Sequence, residues 1–478
     1  MTDLKTILQN EGPMMSSDLA RRLEASGIVY NTASQIVTRA KDILKIKGFF
    51  KSQQALCYLP HHNEDEDLYN ALSAALFSFG KKYWYTLNAI KMHGGTVSRN
   101  YLECYTNYPV MELKKHIPFN EVMKKFVEED VLVFNGDSYN ISPKLEKQPA
   151  NSLLNRTIEL IKDQILADFK SYTRNIGLIS YDTGEFFAEH GKFRWGFKGV
   201  SPVVGLRQNE KFGFLLADVL IGKAIYKRDV EFFVSKLDHI QSFQNASRLM
   251  PFLIVDNLET EAFLYLKQHG VVVGFIKELF GTKYAELLKE LISMLTNAGA
   301  SLKSNPDQYL KLIEELKNFN VSFSKNIKGT LFEYLVAHIH STRCRSIDIG
   351  REIVENNGRH EIDVFALYHD KVVIAECKGI KGKADLEMID KWLRIKIPAF
   401  RKWLQKQETL KDLPVEFQFW STGGFDNEAK QKLDDMISAT SKFKVSYFDA
   451  AGLRREAATM KNKKLKEVLD NYFLNPLV

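Results

Sequence analysis

The sequence predicts a multidomain chain of mixed α+β and α/β class, and three observations carry that expectation. Its 478 residues exceed what one ordinary hydrophobic core organises. Two N-terminal segments each read as helices followed by a hairpin. Beyond them, strand-like runs alternate with helical patterns, the order expected of α/β architecture. Hydrophobic residues make up 45% and charged residues 26%, a globular balance, and with no low-complexity tract nothing argues for long disorder. No apolar run approaches the roughly 18–20 residues that span a bilayer. The first residues, MTDLKTILQNEGPMM, lack the basic-then-apolar order of a secretory signal. A cytoplasmic protein without membrane contact is therefore expected. Cys57, Cys104, Cys344 and Cys377 are scattered, which fits reduced thiols and gives no zinc spacing.

Residues 1–62 open with LKTILQ as a first helix, and MSSDLARRLEASG as a second that stops at Gly27. NTASQIVTRAKDILK is a third, with Asn31 or Thr32 as its N-cap and Ile36, Val37, Ala40, Ile43 and Leu44 at helical spacing. GFFKSQQALCYLP then alternates as a hairpin. This order resembles a winged helix-turn-helix. The resemblance implies a third helix that reads DNA through Gln35, Thr38, Arg39 and Lys41. A structural or protein-binding wing domain is the alternative. The acidic linker HHNEDEDL leads to 66–143, a second segment of winged-helix pattern that ends in a hairpin turning at Asn135-Gly136. PKLEKQPANS (143–152) is the next expected linker, ahead of units at 153–318 and 319–478.

The chemistry concentrates in EIDVFALYHDKVVIAECKG (361–379). Two strands are predicted, EIDVFAL and VVIAECKG, joined by a turn at His369-Asp370. Alternate side chains of a strand share a face, so Glu376 and Lys378 point the same way while Cys377 points into the opposite layer. Asp363, thirteen positions before Glu376, can face them from the adjoining strand. Upstream, KNIKGTLFEYLVAHIHSTRC reads as a helix with Leu331, Leu335 and Ile339 on an apolar face and Glu333 among them. Two carboxylates with water and a phosphate oxygen suit Mg²⁺, which prefers oxygen ligands and dehydrates reluctantly. A neighbouring lysine can orient a water or stabilise developing negative charge. The plain alternative is a lysine that salt-bridges two carboxylates at a strand end.

With its helix, its strands and its downstream segment, the stretch resembles the PD-(D/E)xK, restriction endonuclease-like superfamily. Asp363, Glu376 and Lys378 match the motif, and Glu333 matches the helical glutamate of many members. Ile362 stands where the motif has proline. VEFQFWSTGGFDNEAKQKL, with Glu428-Ala429, resembles the strand–turn–helix of the Mrr-like group. The resemblance covers about 320–450 of the sequence. It implies a Mg²⁺-dependent endonuclease acting on DNA, with Mn²⁺ able to substitute, in restriction or antiphage defence. Asp363 and Glu376 would hold metal, Lys378 would assist attack, and Glu333 would be an outer or second-metal ligand. A double-strand cut needs two sites, so a homodimer is expected. The rivals are an RNA-cleaving defence effector with the same site and a non-cleaving DNA-binding regulator with a vestigial nuclease fold.

Residues 153–318 are expected to be a degenerate copy of the last domain. In FGFLLADVLIGKAIYKRDVEFFVSKLD (212–238), Lys236 takes the place of Lys378, Val234 that of Glu376, and Asp218 is a remnant carboxylate. Glu261-Ala262 then matches Glu428-Ala429.

Net charge is +7, and its placement says more than its size. DKWLRIKIPAFRKWLQKQETLK (390–411) holds seven Lys or Arg against one Asp and one Glu, interleaved with Trp392, Phe400 and Trp403. It is either an amphipathic helix pair with a solvated basic face or a surface tracking DNA phosphates through Lys391, Arg394, Arg401 and Lys402.

Overall fold

Short amphipathic helices and narrow hairpins build the first part of the chain. The computed structural model describes residues 3–63, 66–145, 152–208, 211–243, 246–319, 321–355 and 358–475. Of the two expected linkers, residues 64–65 and 146–151 lie outside that set. The chain divides into two compact units, one of Met1–Ala150 with Ile165–Phe275 and a second of Asn151–Gln164 with Ile276–Val478.

The first unit begins with α1 (Leu4–Glu11), β1 (Met14–Met15), α2 (Ser16–Ala25), α3 (Tyr30–Arg39), β2 (Leu44–Ile46) and β3 (Leu56–Tyr58), its sheet ordered β1-β3-β2. Leu8, Leu19, Leu23, Val37 and Cys57 form its core. Helix α3 starts earlier and ends sooner than its apolar spacing predicts. Val29 is the N-cap, Asn31 and Thr32 lie inside the helix, and Leu44 already belongs to β2. The hairpin therefore begins before Gly48.

The same unit continues with α4 (Asp67–Phe79), α5 (Lys81–Met92), β4 (Thr96–Ser98), α6 (Arg99–Cys104), α7 (Phe119–Glu128), β5 (Leu132–Phe134) and β6 (Ser138–Ile141). Its sheet order, β4-β6-β5, repeats the first, and Gly136 supplies the positive φ of 85° that the tight β5–β6 turn uses.

Helix α8 (Ser152–Asn175) leads to β7 (Glu185–His190), β8 (Phe193–Ser201), β9 (Gly213–Leu220), α9 (Lys227–Gln241), β10 (Leu249–Val255), α10 (Thr260–Gln268) and β11 (Val272–Phe275). The strands form one sheet in chain order, β7 to β9 antiparallel and β9 to β11 parallel.

In the second unit α11 (Ile276–Phe280), α12 (Thr282–Thr296), α13 (Ala298–Ser304), α14 (Pro306–Phe319) and α15 (Val321–Asn326) precede α16 (Lys328–Ser341). Then come β12 (Ser346–Glu355), β13 (Gly358–Leu367), β14 (Val372–Lys378), α17 (Leu386–Lys391), a π-helical segment Trp392–Lys396, α18 (Ile397–Gln405), β15 (Val415–Ser421), α19 (Asn427–Ala439), β16 (Lys444–Phe448), α20 (Ala450–Thr459) and α21 (Lys463–Val468). The five strands again lie in chain order, with β12 to β14 antiparallel and β14 to β16 parallel. Central strand β14 is buried from Val372 to Cys377, and α16 is buried on every side from Thr330 to Ser341. Both read as near-continuous apolar runs because neither has a solvent face.

The two five-stranded sheets share one topology, but not in the alignment read from the sequence. Residues 227–241 are helix, so Val234 and Lys236 cannot stand for the strand residues Glu376 and Lys378. Leu216-Ala217-Asp218-Val219-Leu220 on β9 instead aligns with Ile374-Ala375-Glu376-Cys377-Lys378 on β14. Register supports this, since Ala217 faces Phe197 and Ala375 faces Val364. Asp218 thus takes the place of Glu376, Leu220 that of Lys378, and Gly196 that of Asp363.

Lys236 is fully enclosed. Its Nζ donates to Asp218 Oδ2 at 3.0 Å, to the Cys104 carbonyl that ends α6 at 2.7 Å and to the Arg194 carbonyl at 3.0 Å, and it lies 3.9 Å from the Trp195 ring centre. Lys236→Met takes the cation from a carboxylate that is 1% exposed. It should cost about 3–5 kcal/mol in urea unfolding of this unit. A second change, Asp218→Leu, should recover part of that loss.

Candidate active site

The site lies where β13 and β14 part. Their ladder runs from Leu367–Val372 to Val364–Ala375 and stops there, so Asp363 and Glu376 are the first residues beyond the last pair. Asp363 Oδ2 accepts the backbone N–H of Cys377 at 2.7 Å, which fixes the carboxylate across the gap. Glu376, 4% exposed, accepts Lys378 Nζ at 2.7 Å on Oε1. Lys396 Nζ donates to both of its oxygens, at 2.7 and 2.6 Å.

Lys396 reaches Glu376 from the π-helical segment between α17 and α18. Pro398, two residues on, has no N–H to return to the Arg394 carbonyl, the kind of interruption at which helices widen. The widened turn ends at Lys396.

Glu333 enters from α16 and is 6% exposed. Its Oε1 accepts Arg156 Nη2 at 2.7 Å, while its Oε2 is buried without a hydrogen-bond partner among the described residues. Arg156, from the start of α8, also places Nη1 3.5 Å from Glu361 Oε2. Glu361 shares a strand face with Asp363, two residues away. One oxygen from each of Glu333, Glu361 and Asp363 lies within 4.8 Å of the other two.

Burial and mutual repulsion treat these carboxyls differently. Burial and then Glu376 push Asp363 up from the ordinary aspartate range to about 6. Burial also works against charge on Glu376, but Lys396 and Lys378 outweigh it and hold the carboxyl below its usual value. Burial drives Glu333 well up, with Arg156 opposing and Asp363 and Glu361 adding to the rise. Lys378 loses some charge stability to burial, yet Asp363 and Glu376 raise it overall. Burial pushes the Cys377 thiol well up, as do the three carboxylates around it, which makes it an unreactive neighbour. Two buried carboxylates and a half-buried third, one oxygen without a partner among the described residues, and hard-donor chemistry throughout fit a divalent cation such as Mg²⁺.

The sequence-derived residues divide into three groups. Asp363, Glu376, Lys378 and Glu333 come together. Gln35, Thr38 and Arg39 are exposed on α3, whereas Lys41 lies beyond that helix's end. The basic stretch 390–411 has Trp392 and Phe400 in the core. On its surface, Lys391 is exposed, Arg394 pairs with Asp390 at 3.5 Å, Arg401 lies 4.8 Å from the Phe443 ring centre, and Lys402 is 3.5 Å from Glu355. Of the four, Arg394, Arg401 and Lys402 each meet a neighbour within the fold. Arg156, Glu361 and Lys396 were missed by the sequence reading. Glu361 was discernible from the strand alternation with Asp363, and Lys396 from a proline interrupting a helical pattern.

The folded protein holds a proton on Asp363 that the unfolded chain releases, between the ordinary aspartate value and about 6. Stability contributed by this group therefore falls as pH rises through that window, and the deficit is fully present above it. With metal chelated, Asp363→Asn should be more stable than wild type by about 3 kcal/mol at pH 8 and no more stable near pH 4. Urea unfolding at the two pH values measures both; an equal difference at each would contradict the charge argument.

No family model and no curated protein matches this chain. Among solved structures, restriction endonuclease FokI aligns over 94% of this chain and 84% of its own, with 11% identity and a TM-score of 0.18. A likeness at that level carries no inference. No described helix is long and apolar enough to cross a membrane.

Proposed function

We propose that the chain is a Mg²⁺-dependent endonuclease that hydrolyses phosphodiester bonds of DNA, in restriction or antiphage defence. The observation supporting it is the convergence of Glu333, Asp363, Glu376 and Lys378 where β13 and β14 part. In this reading residues 1–62 and 66–143 are winged-helix modules, 153–318 is a degenerate nuclease-like domain and 319–478 is catalytic. The protein works in the cytoplasm as a homodimer, one site per strand.

Asp363 and Glu376 are the metal ligands of this reading, with Glu333 an outer or second-metal ligand and Mn²⁺ an accepted substitute. Bound metal supplies charge neutralisation at the phosphate and an activated water. The Cys377 N–H keeps Asp363 oriented, and Lys396 satisfies both oxygens of Glu376. Lys378 can then turn toward the phosphate without stripping Glu376 of its counter-ion, and there stabilise the charge that develops during attack. Buried strand and helix positions hold the groups rigidly, which lowers the reorganisation needed at reaction.

Asp363→Ala, Glu376→Ala and Lys378→Ala should each abolish Mg²⁺-dependent cleavage while leaving DNA binding nearly intact, and Glu333→Ala should reduce it by a smaller factor. Cleavage of DNA and RNA substrates checks both the site and the polymer; full activity in Glu376→Ala would sink the assignment. Replacing Arg39 and Lys41 with alanine should weaken DNA binding and flatten its salt dependence, by a slope of about one per lost phosphate contact. Unchanged affinity and slope would assign the first module another role.

A further inference from the structure

We infer that Lys328, Lys381 and Lys383 form an anion subsite at the carboxyl end of β14, and that it takes a backbone phosphate of DNA beside the scissile one. It rests on the endonuclease reading above and adds where the catalytic unit holds its polymer.

The lysines meet where β14 ends. Lys378 is the last residue of that strand, and the chain beyond it crosses the first turn of α16. A Cβ on Gly379 would lie 2.9 Å from Phe332 Cβ and 3.1 Å from Gly329 Cα, so the crossing needs glycine. Lys328 opens α16, and Lys381 follows the crossing by two positions. Burial lowers the pKa of the Lys328 ammonium, and the nearby Lys381 charge lowers it further. Strands β14, β15 and β16 run parallel, and ligands of such sheets bind outside the carboxyl ends of the strands.

The loop after β14 is pinned to the turn after β15. Thr422 donates its N–H to the Lys378 carbonyl at 3.1 Å and its hydroxyl to the Ile380 carbonyl at 2.8 Å. The Ala384 N–H donates to the Gly424 carbonyl at 2.9 Å, and the Asp426 N–H to the Ala384 carbonyl at 3.1 Å. Gly423 passes so close to Gly382 that a Cβ there would strike its carbonyl oxygen. Lys381 and Lys383 are therefore exposed on a backbone fixed at both ends.

Elsewhere in this unit basic side chains find acids: Arg394 meets Asp390, Lys402 and Lys406 meet Glu355, and Lys371 meets Glu416. Among the described residues, no hydrogen bond or ion pair holds the ammonium of Lys328, Lys381 or Lys383. Lys328 also stands at the amino end of a helix, where the dipole favours an anion and disfavours a cation. Like charges kept together at such a point are unfavourable in the free protein, and a phosphate between them reverses both effects. Lysines act on phosphate as point charges and read no base, which suits a contact that positions the strand for cutting.

Equilibrium binding of duplex DNA by the full chain, with metal chelated and salt varied, tests the subsite without any cleavage. Lys381→Ala/Lys383→Ala should weaken binding about tenfold at about 0.1 M salt and make the salt slope shallower by about two. Lys311→Ala/Lys463→Ala removes the same charge from lysines already paired with Glu315 and Glu467, and should change affinity by less than about twofold. Lys328→Met should weaken binding about threefold without lowering thermal stability, because a like-charge contact leaves with it. Equal losses in the two double variants, or wild-type affinity and slope in Lys381→Ala/Lys383→Ala, would overturn the subsite and leave the endonuclease reading standing. Inorganic phosphate separates the two sources of the anion. Thermal stabilisation by phosphate that the Lys381→Ala/Lys383→Ala chain loses, while its DNA binding stays at the wild-type level, would mark a free-phosphate site and overturn the polymer contact. A wild-type chain that binds no DNA would overturn the DNA reading itself.

Discussion

Everything at the candidate site depends on the parting of β13 and β14 after Val364–Ala375. A continued ladder would leave Asp363 and Glu376 as an ordinary cross-strand pair of like charges, which sheets disfavour. The gap lets Asp363 turn to the Cys377 N–H, while Glu376 remains with the two lysines. One opening therefore produces two carboxylates of opposite character, the first raised to about 6 and the second lowered. Such a division between neighbouring groups marks functional sites, although structural ion networks also produce it.

The opening persists because its surroundings cannot relax around it. Helix α16 is enclosed on all sides, and β14 lies between two strands with buried faces. Glu333 and Glu376 sit on elements whose apolar packing fixes their backbones, and moving either would disrupt that packing. On the other side of the sheet, Trp392, Phe400, Phe417 and Phe419 lock the helical layer that delivers Lys396.

Much of this was legible in the sequence wherever the determining pattern is local. Alternation along VVIAECK puts Glu376 and Lys378 on one face, and the run TLFEYLVAHI announces a buried helix containing Glu333. Residues fixed by tertiary approach were not legible. Arg156 stands 177 positions from Glu333, and no local period relates them. Lys396 depends on a widened turn for which Pro398 is the one local signal, and its approach to Glu376 is not encoded in residue spacing. The α9 residues VEFFVS read as a strand because a short apolar run serves either period, and only the surrounding layers decide between them. Helix α3 stopped short for a related reason: Ile43 is buried in the module's core, but from a position beyond the helix.

Comparison of the two sheets shows what a balance of charge can do to one topology. In the first, Gly196 replaces Asp363 and Leu220 replaces Lys378, which leaves Asp218 facing a helical lysine. The Gly196 N–H donates to Asp218 Oδ1 at 2.6 Å, so backbone and lysine together satisfy that carboxylate. A negative group meets a positive group, both fully enclosed, and the lysine's remaining hydrogens go to the Cys104 and Arg194 carbonyls. A pair so satisfied has no residual field with which to attract a cation. In the second sheet the corresponding strand carboxylate and helical lysine are still paired, and Asp363, Glu361 and Glu333 gather beside them with Lys378 and Arg156. The carboxylate–lysine clasp is thus common to both sheets and serves as an anchor in each. The two sheets differ in the carboxylates gathered beside it.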